Sequence, residues 1–280
     1  MRKDIFYSWL TIVLIGIVVA LVGAIQRINM PQVLCKEYTF SKVAYLAEGQ
    51  ENSLSFSIRY AYPVACNAQH EVLLKLQRAV CQTVLGNAFL DMQPQQAIEA
   101  YAAMKHNEYI QKNLPLLQEW AIDHDDEPIG VTLFNEELII NAAPIGDSLP
   151  LITKPSIWSY AIEVYEYTGG AHGYNYLLAQ NYNLQTGDIV TEKDLFIDDY
   201  YEHIKTLLLN ALIAQTDNAE TKRDLRRMGY SVEDIVPNEN FYVTSEGIVY
   251  VYNPYEIAPY AMGRIQICLP WDSICHFIRY

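Results

Sequence analysis

The feature that most constrains this chain is an uncharged apolar stretch near its amino end. Residues Ile5 to Ile25 carry no charged side chain, and a helix that spans a bilayer needs about 20 apolar residues. Arg2 and Lys3 precede the stretch, which favours a cytoplasmic amino terminus. The sequence therefore predicts that residues 1–30 are a transmembrane anchor or a signal peptide.

Both a retained anchor and a cleaved signal peptide fit this stretch. Val22, Gly23 and Ala24 offer small residues at a plausible cleavage point, whereas the apolar run is long for a signal peptide and favours the anchor. In either case residues 31–280 are expected outside the cytoplasm, in the periplasm or at the cell surface, and either anchored to the membrane or secreted. Because the run begins so close to Met1, no cytoplasmic domain is expected at this end.

The charge balance makes one class of partner improbable. The chain has 33 Asp and Glu against 19 Lys and Arg, a net charge of −14. Such a surface repels phosphate backbones, so we do not expect a nucleic-acid binder. The same charge fits both an attraction for a basic partner and ordinary solubility.

Five cysteines lie in the part of the chain expected outside the cytoplasm: Cys35, Cys66, Cys81, Cys268 and Cys275. An oxidising compartment allows disulfides to persist. The short loops favour the pairs Cys66–Cys81 and Cys268–Cys275, although spacing does not fix connectivity. Buried free thiols are the alternative. Without a Cys-x-x-Cys motif, neither a redox motif nor a cysteine-rich zinc site is predicted.

Residue periodicity predicts an α+β fold, with helices packed on an antiparallel sheet. Residues 53–60 alternate strictly between polar and apolar side chains, as a half-buried strand does. Helices are predicted at residues 69–89, 94–113, 198–216 and 219–228. Strands are predicted at residues 36–46, 53–62, 131–134, 138–141, 157–167, 175–184, 240–244, 248–253 and 264–269. Hairpins grouped apart from helices are typical of this class.

The same patterns predict where the chain divides. Pro63 is expected to end the second strand, because proline lacks the N–H that a sheet ladder needs. Residues 142–156 are rich in proline and small side chains. We therefore expect two linked subdomains, a smaller one at residues 36–145 and a second at residues 150–280.

Two loops are the candidate binding surface. The first, at residues 168–173, reads Thr-Gly-Gly-Ala-His-Gly, and its glycines permit positive φ and a close backbone approach. The second, at residues 252–260, carries tyrosines stiffened by two prolines, so ordering it on a ligand costs little entropy. The predicted ligand-binding residues are Gly169, Gly170, His172, Tyr174, Tyr252, Tyr255, Pro259 and Tyr260. The alternative is that both loops are structural turns whose rings pack on the sheet.

A search for catalytic motifs finds none. The six histidines include no pair at the spacing of helical metal ligands, and no Gly-x-Ser-x-Gly elbow is present. The acidic run at residues 123–127 lacks the spacing of a calcium-binding loop, which favours a solvated loop. We therefore predict no catalytic residue, no metal and no cofactor. A hydrolase that uses paired carboxylates and a structural scaffold of the cell envelope are the alternatives.

At these motifs the chain resembles a known domain family. The segment at residues 168–173, the Asn-Leu-Gln-Thr-Gly-Asp at 183–188, the Asp-Leu-Phe at 194–196 and the stretch from Asn240 to Ala261 are similar to the RsiV-like exported domain. That domain occurs in membrane-bound anti-sigma factors that serve as lysozyme receptors. It also occurs in PdaC-type peptidoglycan deacetylases, after a smaller domain that residues 53–140 resemble.

The resemblance implies an extracytoplasmic binding or sensor domain. Its expected partners are the membrane, through the N-terminal helix, and a lysozyme-like protein or a peptidoglycan fragment. Two departures limit what carries over. Residues 1–4 are too short to hold a sigma factor, and the histidine-pair motif of the deacetylases is missing. The domain therefore carries over, and the signalling and catalytic roles do not.

Overall fold

The structure is a computed structural model, and it describes residues 33–47, 51–123, 134–146, 149–150 and 156–279. These residues are organised around two β-sheets. The large sheet comprises β1 (Val33–Tyr45), β2 (Ser53–Cys66), β3 (Glu136–Pro144), β4 (Leu149–Pro150), β5 (Ser156–Tyr167) and β6 (Tyr174–Asn183). Its order is β1-β2-β3-β5, with β6 and the two-residue β4 both paired to β5. Only β2 and β3 run parallel among these pairs.

Two helices cover one face of the large sheet. Helix α1 (His70–Val84) and helix α2 (Pro94–Asp123) form the crossover that the parallel β2–β3 pair requires. Leu76 and Val80 of α1 are completely buried. They pack in one cluster with Phe56 and Ile58 of β2, so the apolar face of α1 lies against the apolar face of β2.

The second core surrounds the small sheet. That sheet is antiparallel and contains β7 (Phe241–Val243), β8 (Gly247–Tyr252) and β9 (Ile265–Pro270). The helices of this part are α3 (Glu192–Leu195), α4 (Tyr200–Gln215), α5 (Lys222–Arg227) and α6 (Trp271–Ile274). Leu208 and Leu212 of α4 are completely buried in the same cluster as Ile267 of β9.

Asparagine side chains join the two sheets along β6, which is the edge strand of the large sheet. Asn253 accepts a hydrogen bond from the Leu177 N–H (2.7 Å) and donates one to the Leu177 carbonyl (3.1 Å). Asn240 accepts from the Ala179 N–H (2.8 Å) and also donates to the Leu177 carbonyl (2.9 Å). These amides supply the bonds that a further strand would make, so the small sheet covers an edge that would otherwise be open.

The α+β prediction is confirmed, and several boundaries differ from those predicted. The pairing of β3 with β5, from Glu137↔Tyr167 to Pro144↔Tyr160, joins described residues on both sides of the predicted division in one sheet. The smaller N-terminal unit therefore does not have a sheet of its own. The predicted strand at residues 131–134 falls mostly outside the described residues.

Two prolines do not end the elements that contain them. β2 continues past Pro63, which pairs with Cys35 beside a register shift, where β3 no longer borders β2. A missing N–H is tolerated at such an open edge. Helix α2 continues past Asn113 and through Pro115 to Asp123. Leu117 is buried in a small cluster with Tyr109, and this packing stabilises the extension.

All five cysteines are free, so the predicted pairs Cys66–Cys81 and Cys268–Cys275 are not formed. Cys81 is buried on α1, where its Sγ lies 3.6 Å from the Phe89 carbonyl. Burial raises the pKa of the Cys81 thiol, a member of the first predicted pair. A buried, protonated thiol is a poor nucleophile for disulfide exchange, which favours the alternative of free thiols.

The predicted membrane segment lies among residues 1–32, which are outside the described residues. Within the described part of the chain, every helix is too short or too polar to cross a membrane.

Replacing Asn253 with Asp tests the junction between the sheets. Aspartate keeps the shape and cannot donate to the Leu177 carbonyl, so we expect Asn253→Asp to lower the free energy of unfolding by about 3 kcal/mol. The matched control is Asn107→Asp on the exposed side of α2, where a change within about 0.5 kcal/mol is expected. Urea unfolding of both variants measures this, and equal stabilities would contradict the role of Asn253.

Candidate functional site

The glycine-rich loop at residues 168–173 is the turn between β5 and β6. Gly169 and Gly170 have φ of 96° and 95°, values that other residues adopt only with strain. The Tyr167 hydroxyl donates to the Gly170 carbonyl over 3.1 Å and closes the turn. The predicted need for glycine is therefore met at both positions.

Gly173 allows the turn to lie against a tyrosine ring. A Cβ atom on this residue would stand 2.5 Å from the Tyr165 ring, so only glycine fits without displacement. The preceding residue, His172, is exposed, and its Nδ1 lies 3.0 Å from the Gly173 carbonyl. The turn thus presents an imidazole at the end of the hairpin.

The second loop, which follows β8, is fixed by its own hydrogen bonds. The Asn253 N–H donates to the Glu256 carboxylate (2.9 Å), and the Glu256 N–H donates back to the Asn253 carbonyl (3.1 Å). Tyr255 stands between them with φ of 72°, a left-handed conformation that is strained for a bulky residue. Its side chain is 61% exposed. The loop therefore holds an aromatic ring in solvent at a conformational cost, a combination typical of functional sites.

The two loops meet through their rings. His172 stacks on Tyr260 with centroids 4.0 Å apart and an interplanar angle of 17°, and Tyr255 lies 5.5 Å from Tyr260. The Tyr260 hydroxyl donates to the Gly173 carbonyl over 2.7 Å. We call His172, Tyr255 and Tyr260 the aromatic cluster. Its rings belong to loops from different sheets and are held in a fixed arrangement.

The remaining predicted residues lie at different depths. Tyr174 is partly exposed, and its hydroxyl donates to the Pro254 carbonyl over 3.3 Å, a second link between the loops. Pro259 is exposed and precedes the short 3₁₀ turn that carries Tyr260. The prediction that Tyr252 lies at the binding surface is wrong. Its side chain is 1% exposed and its hydroxyl donates to the Val236 carbonyl, so it belongs to the core.

A cavity of about 290 Å³ adjoins the aromatic cluster. Its lining residues are Asn175, Pro254, Tyr260, Ala261, Gly263 and Arg264. Arg264, the cationic residue of this lining, was not predicted from the sequence. The signal available for it was its position directly after the tyrosine-rich loop and before β9.

A separate groove lies between α2 and the sheet face that bears β5 and β6. Adjoining depressions of about 170, 210 and 250 Å³ share lining residues, with Ile162, Val164 and Leu178 along the middle. At one end, Lys112 pairs with Glu136 at 2.8 Å and Lys105 with Glu108 at 2.9 Å. The groove is thus apolar in the middle and carries ion pairs at that end.

A pair of glutamates at the start of α3 was also not predicted. The Glu192 N–H donates to the Glu239 carboxylate (2.9 Å), and the Glu239 N–H donates to the Glu192 carboxylate (3.0 Å). Glu192 is 2% exposed, and burial raises the pKa of its carboxyl. The Tyr200 hydroxyl also donates a hydrogen bond to the Glu192 carboxylate. The donors in these three hydrogen bonds are two backbone N–H groups and a hydroxyl, and none of them is a cation.

The acidic run considered for a cation lies at residues 124–127, outside the described residues, together with the side chain of Asp123. Within the ranges that the structure describes, no group of three or more His, Cys, Asp or Glu side chains is arranged to hold a metal ion.

The fold and the site define an α+β module of two bonded sheets whose loops build an aromatic surface. Residues 193–272 match the model of a family described as "Protein of unknown function (DUF3298)". The matched residues include the second loop, the small sheet and α4. No curated protein matches the chain.

Solved structures extend the likeness to the whole fold. A crystal structure of a DUF3298 family member from Bacteroides fragilis has 28% sequence identity and a TM-score of 0.78, covering 90% of this chain and 96% of that one. A DUF3298 family protein from Pseudomonas aeruginosa has 13% identity and a TM-score of 0.57, covering 89% and 95%. At 13% identity the second likeness concerns the fold alone.

The buried glutamate predicts a pH dependence of stability. Burial raises the pKa of Glu192 in the folded state. The stabilisation that the protonated carboxyl gives is therefore complete below the pKa of the unfolded state, about 4.3. It is lost as the pH rises through the pKa of the folded state. We therefore expect Glu192→Gln to become more stable relative to the wild type as the pH rises from about 4 to 7.

Unfolding by urea at a series of pH values measures this difference. The control, Glu119→Gln, removes an exposed carboxylate on α2 and measures the effect of losing one surface charge. A difference for Glu192→Gln that is flat over the same range would contradict the assignment.

Proposed function

We propose that this protein is an extracytoplasmic, membrane-anchored binding module, without catalysis of its own, that recognises a cell-wall-related ligand. The observation that carries the proposal is the aromatic cluster of His172, Tyr255 and Tyr260. Its rings lie at the surface in an arrangement fixed by stacking and by the bond from Tyr260 to Gly173.

The arrangement favours binding because the loops are ordered before a ligand arrives. Ordering a flexible side chain on binding costs about 0.5–1.5 kcal/mol, and the contacts between the loops remove much of that cost. Tyrosine rings supply contact area with few rotatable bonds. The strained backbone of Tyr255 has no role in the core, since its ring is mostly in solvent.

The size of the site favours a small ligand over a protein. A stable protein–protein interface buries about 800 Å² on each partner, far more than three rings offer. The adjoining cavity of about 290 Å³ is close to the lower limit for ligand pockets, about 300 Å³. We therefore assign a sugar-sized unit of a peptidoglycan fragment to the site, and binding of a lysozyme-like protein is the alternative to be tested.

The location rests on the sequence. The uncharged run from Ile5 to Ile25 after Arg2 and Lys3 supports export and anchoring. The resemblance to the RsiV-like and PdaC-type exported domains supports a cell-wall context.

Removing two rings of the cluster tests the proposal. We expect the double variant Tyr255→Ala, Tyr260→Ala to bind soluble peptidoglycan fragments at least about tenfold more weakly, because the contact area is lost. Thermal-shift titration measures this, since a ligand that binds the folded state raises its melting temperature. The control is Tyr45→Ala on β1, at the opposite edge of the sheet, where the ring is 59% exposed.

The same titration separates the alternatives. Unchanged affinity of the double variant would remove the aromatic cluster as the binding surface. A rise in melting temperature with a lysozyme panel and none with the fragments would indicate a protein partner in place of a glycan. Cleavage of the fragments during incubation would indicate a hydrolase in place of a binding module.

A further inference from the structure

Arg264 lies at the wall of the cavity beside the aromatic cluster, with its side chain 20% exposed. Its Nη2 donates to the Glu163 carboxylate at 2.5 Å and to the Asn175 side-chain oxygen at 2.6 Å. Its Nε is buried and has no hydrogen-bond partner. The guanidinium is therefore held in place from one side and is left with unused donor capacity.

The unpaired Nε makes the surroundings of Arg264 unfavourable for a buried guanidinium. A guanidinium carries five N–H donors and stays charged at every physiological pH. Leaving a buried donor unpaired destabilises a fold, and such groups in a native structure call for an explanation. Nε itself is closed to solvent, so an acceptor bound in the cavity meets the 20% of the Arg264 side chain that is exposed, and its charge offsets that of the guanidinium.

Resting on the proposed function, we infer that Arg264 makes the site selective for a sugar that bears a carboxylate. The ring of such a sugar packs on Tyr260, and its carboxylate pairs with the guanidinium across the cavity. Tyr260 and Arg264 line the same cavity, so one bound sugar unit can make both contacts. Paired charges with hydrogen bonds are stronger than neutral ones, so the carboxylate is the discriminating group.

Glu163 sets the strength of this selectivity. Its carboxylate already neutralises part of the guanidinium charge, and it is 39% exposed, so solvent screens it in part. A ligand carboxylate competes with this internal partner. Removing the charge of Glu163 should therefore strengthen binding of an acidic sugar, whereas removing Arg264 should weaken it.

The experiment compares three matched disaccharides by isothermal titration of the full chain. The first is N-acetylglucosaminyl-N-acetylmuramic acid, the second is its methyl ester, and the third is diacetylchitobiose. The first two differ only at the carboxyl group, where the methyl ester removes the negative charge and adds a methyl group. The variants are Arg264→Gln, Arg264→Lys and Glu163→Gln, and the control is Arg59→Gln, which removes a surface arginine paired with Glu37 on β2.

The wild type is expected to prefer the acid over the ester by about tenfold, the usual worth of a charged hydrogen bond. Arg264→Gln should bind the three sugars alike, Arg264→Lys should fall between, and Glu163→Gln should bind the acid several-fold more tightly. Arg59→Gln should match the wild type. Opposite effects of Arg264→Gln and Glu163→Gln separate selectivity from a merely structural role, because both variants break the same ion pair.

Equal affinity of the wild type for acid and ester would overturn the inference and leave the proposed function standing. A folded Arg264→Gln that keeps the preference would do the same. If Arg264→Gln does not fold, Glu163→Gln decides, and no gain for the acid counts against the inference. No binding of any of the three sugars would overturn both the inference and the assignment of a glycan to the site.

Discussion

The hydrogen bonds between asparagine amides and the outer edge of β6 are the interaction on which the arrangement of this protein depends. Asn253 and Asn240 satisfy the backbone of Leu177 and Ala179 as a neighbouring strand would. An amide side chain both donates and accepts, so it can replace a pair of the backbone hydrogen bonds that a neighbouring strand would make. The two sheets are joined without becoming continuous, and the edge of β6 is closed to other chains.

The candidate site is a consequence of this junction. Asn253 both binds β6 and begins the tyrosine-rich loop, where its backbone pairs with Glu256. The loop is therefore fixed at its first residue to the strand that follows the glycine-rich turn. Stacking of His172 on Tyr260 then brings rings from two separate cores to one surface. Neither sheet alone would place them there.

Much of the fold could be predicted from the sequence, because local patterns determine it. The alternation of β2, the stripe of α1 and the capping box of Thr191 and Asp194 are properties of neighbouring residues. The two candidate loops were found for the same reason. The asparagine bonds, the burial of Tyr252 and the pairing of Arg264 depend on residues far apart in the chain. Helix α2 passes Pro115 because tertiary packing outweighs a local helix breaker.

The measurement that tests the central claim most directly is NMR mapping of the backbone amides while a soluble muramyl disaccharide is added. The account predicts that shifts which saturate with ligand concentration cluster at residues 169–175 and 254–264, the two loops and the wall of the cavity. Shifts confined to the groove between α2 and β6, around Lys105 and Leu178, would place the ligand elsewhere and contradict the account. No shift at any amide would contradict the choice of ligand.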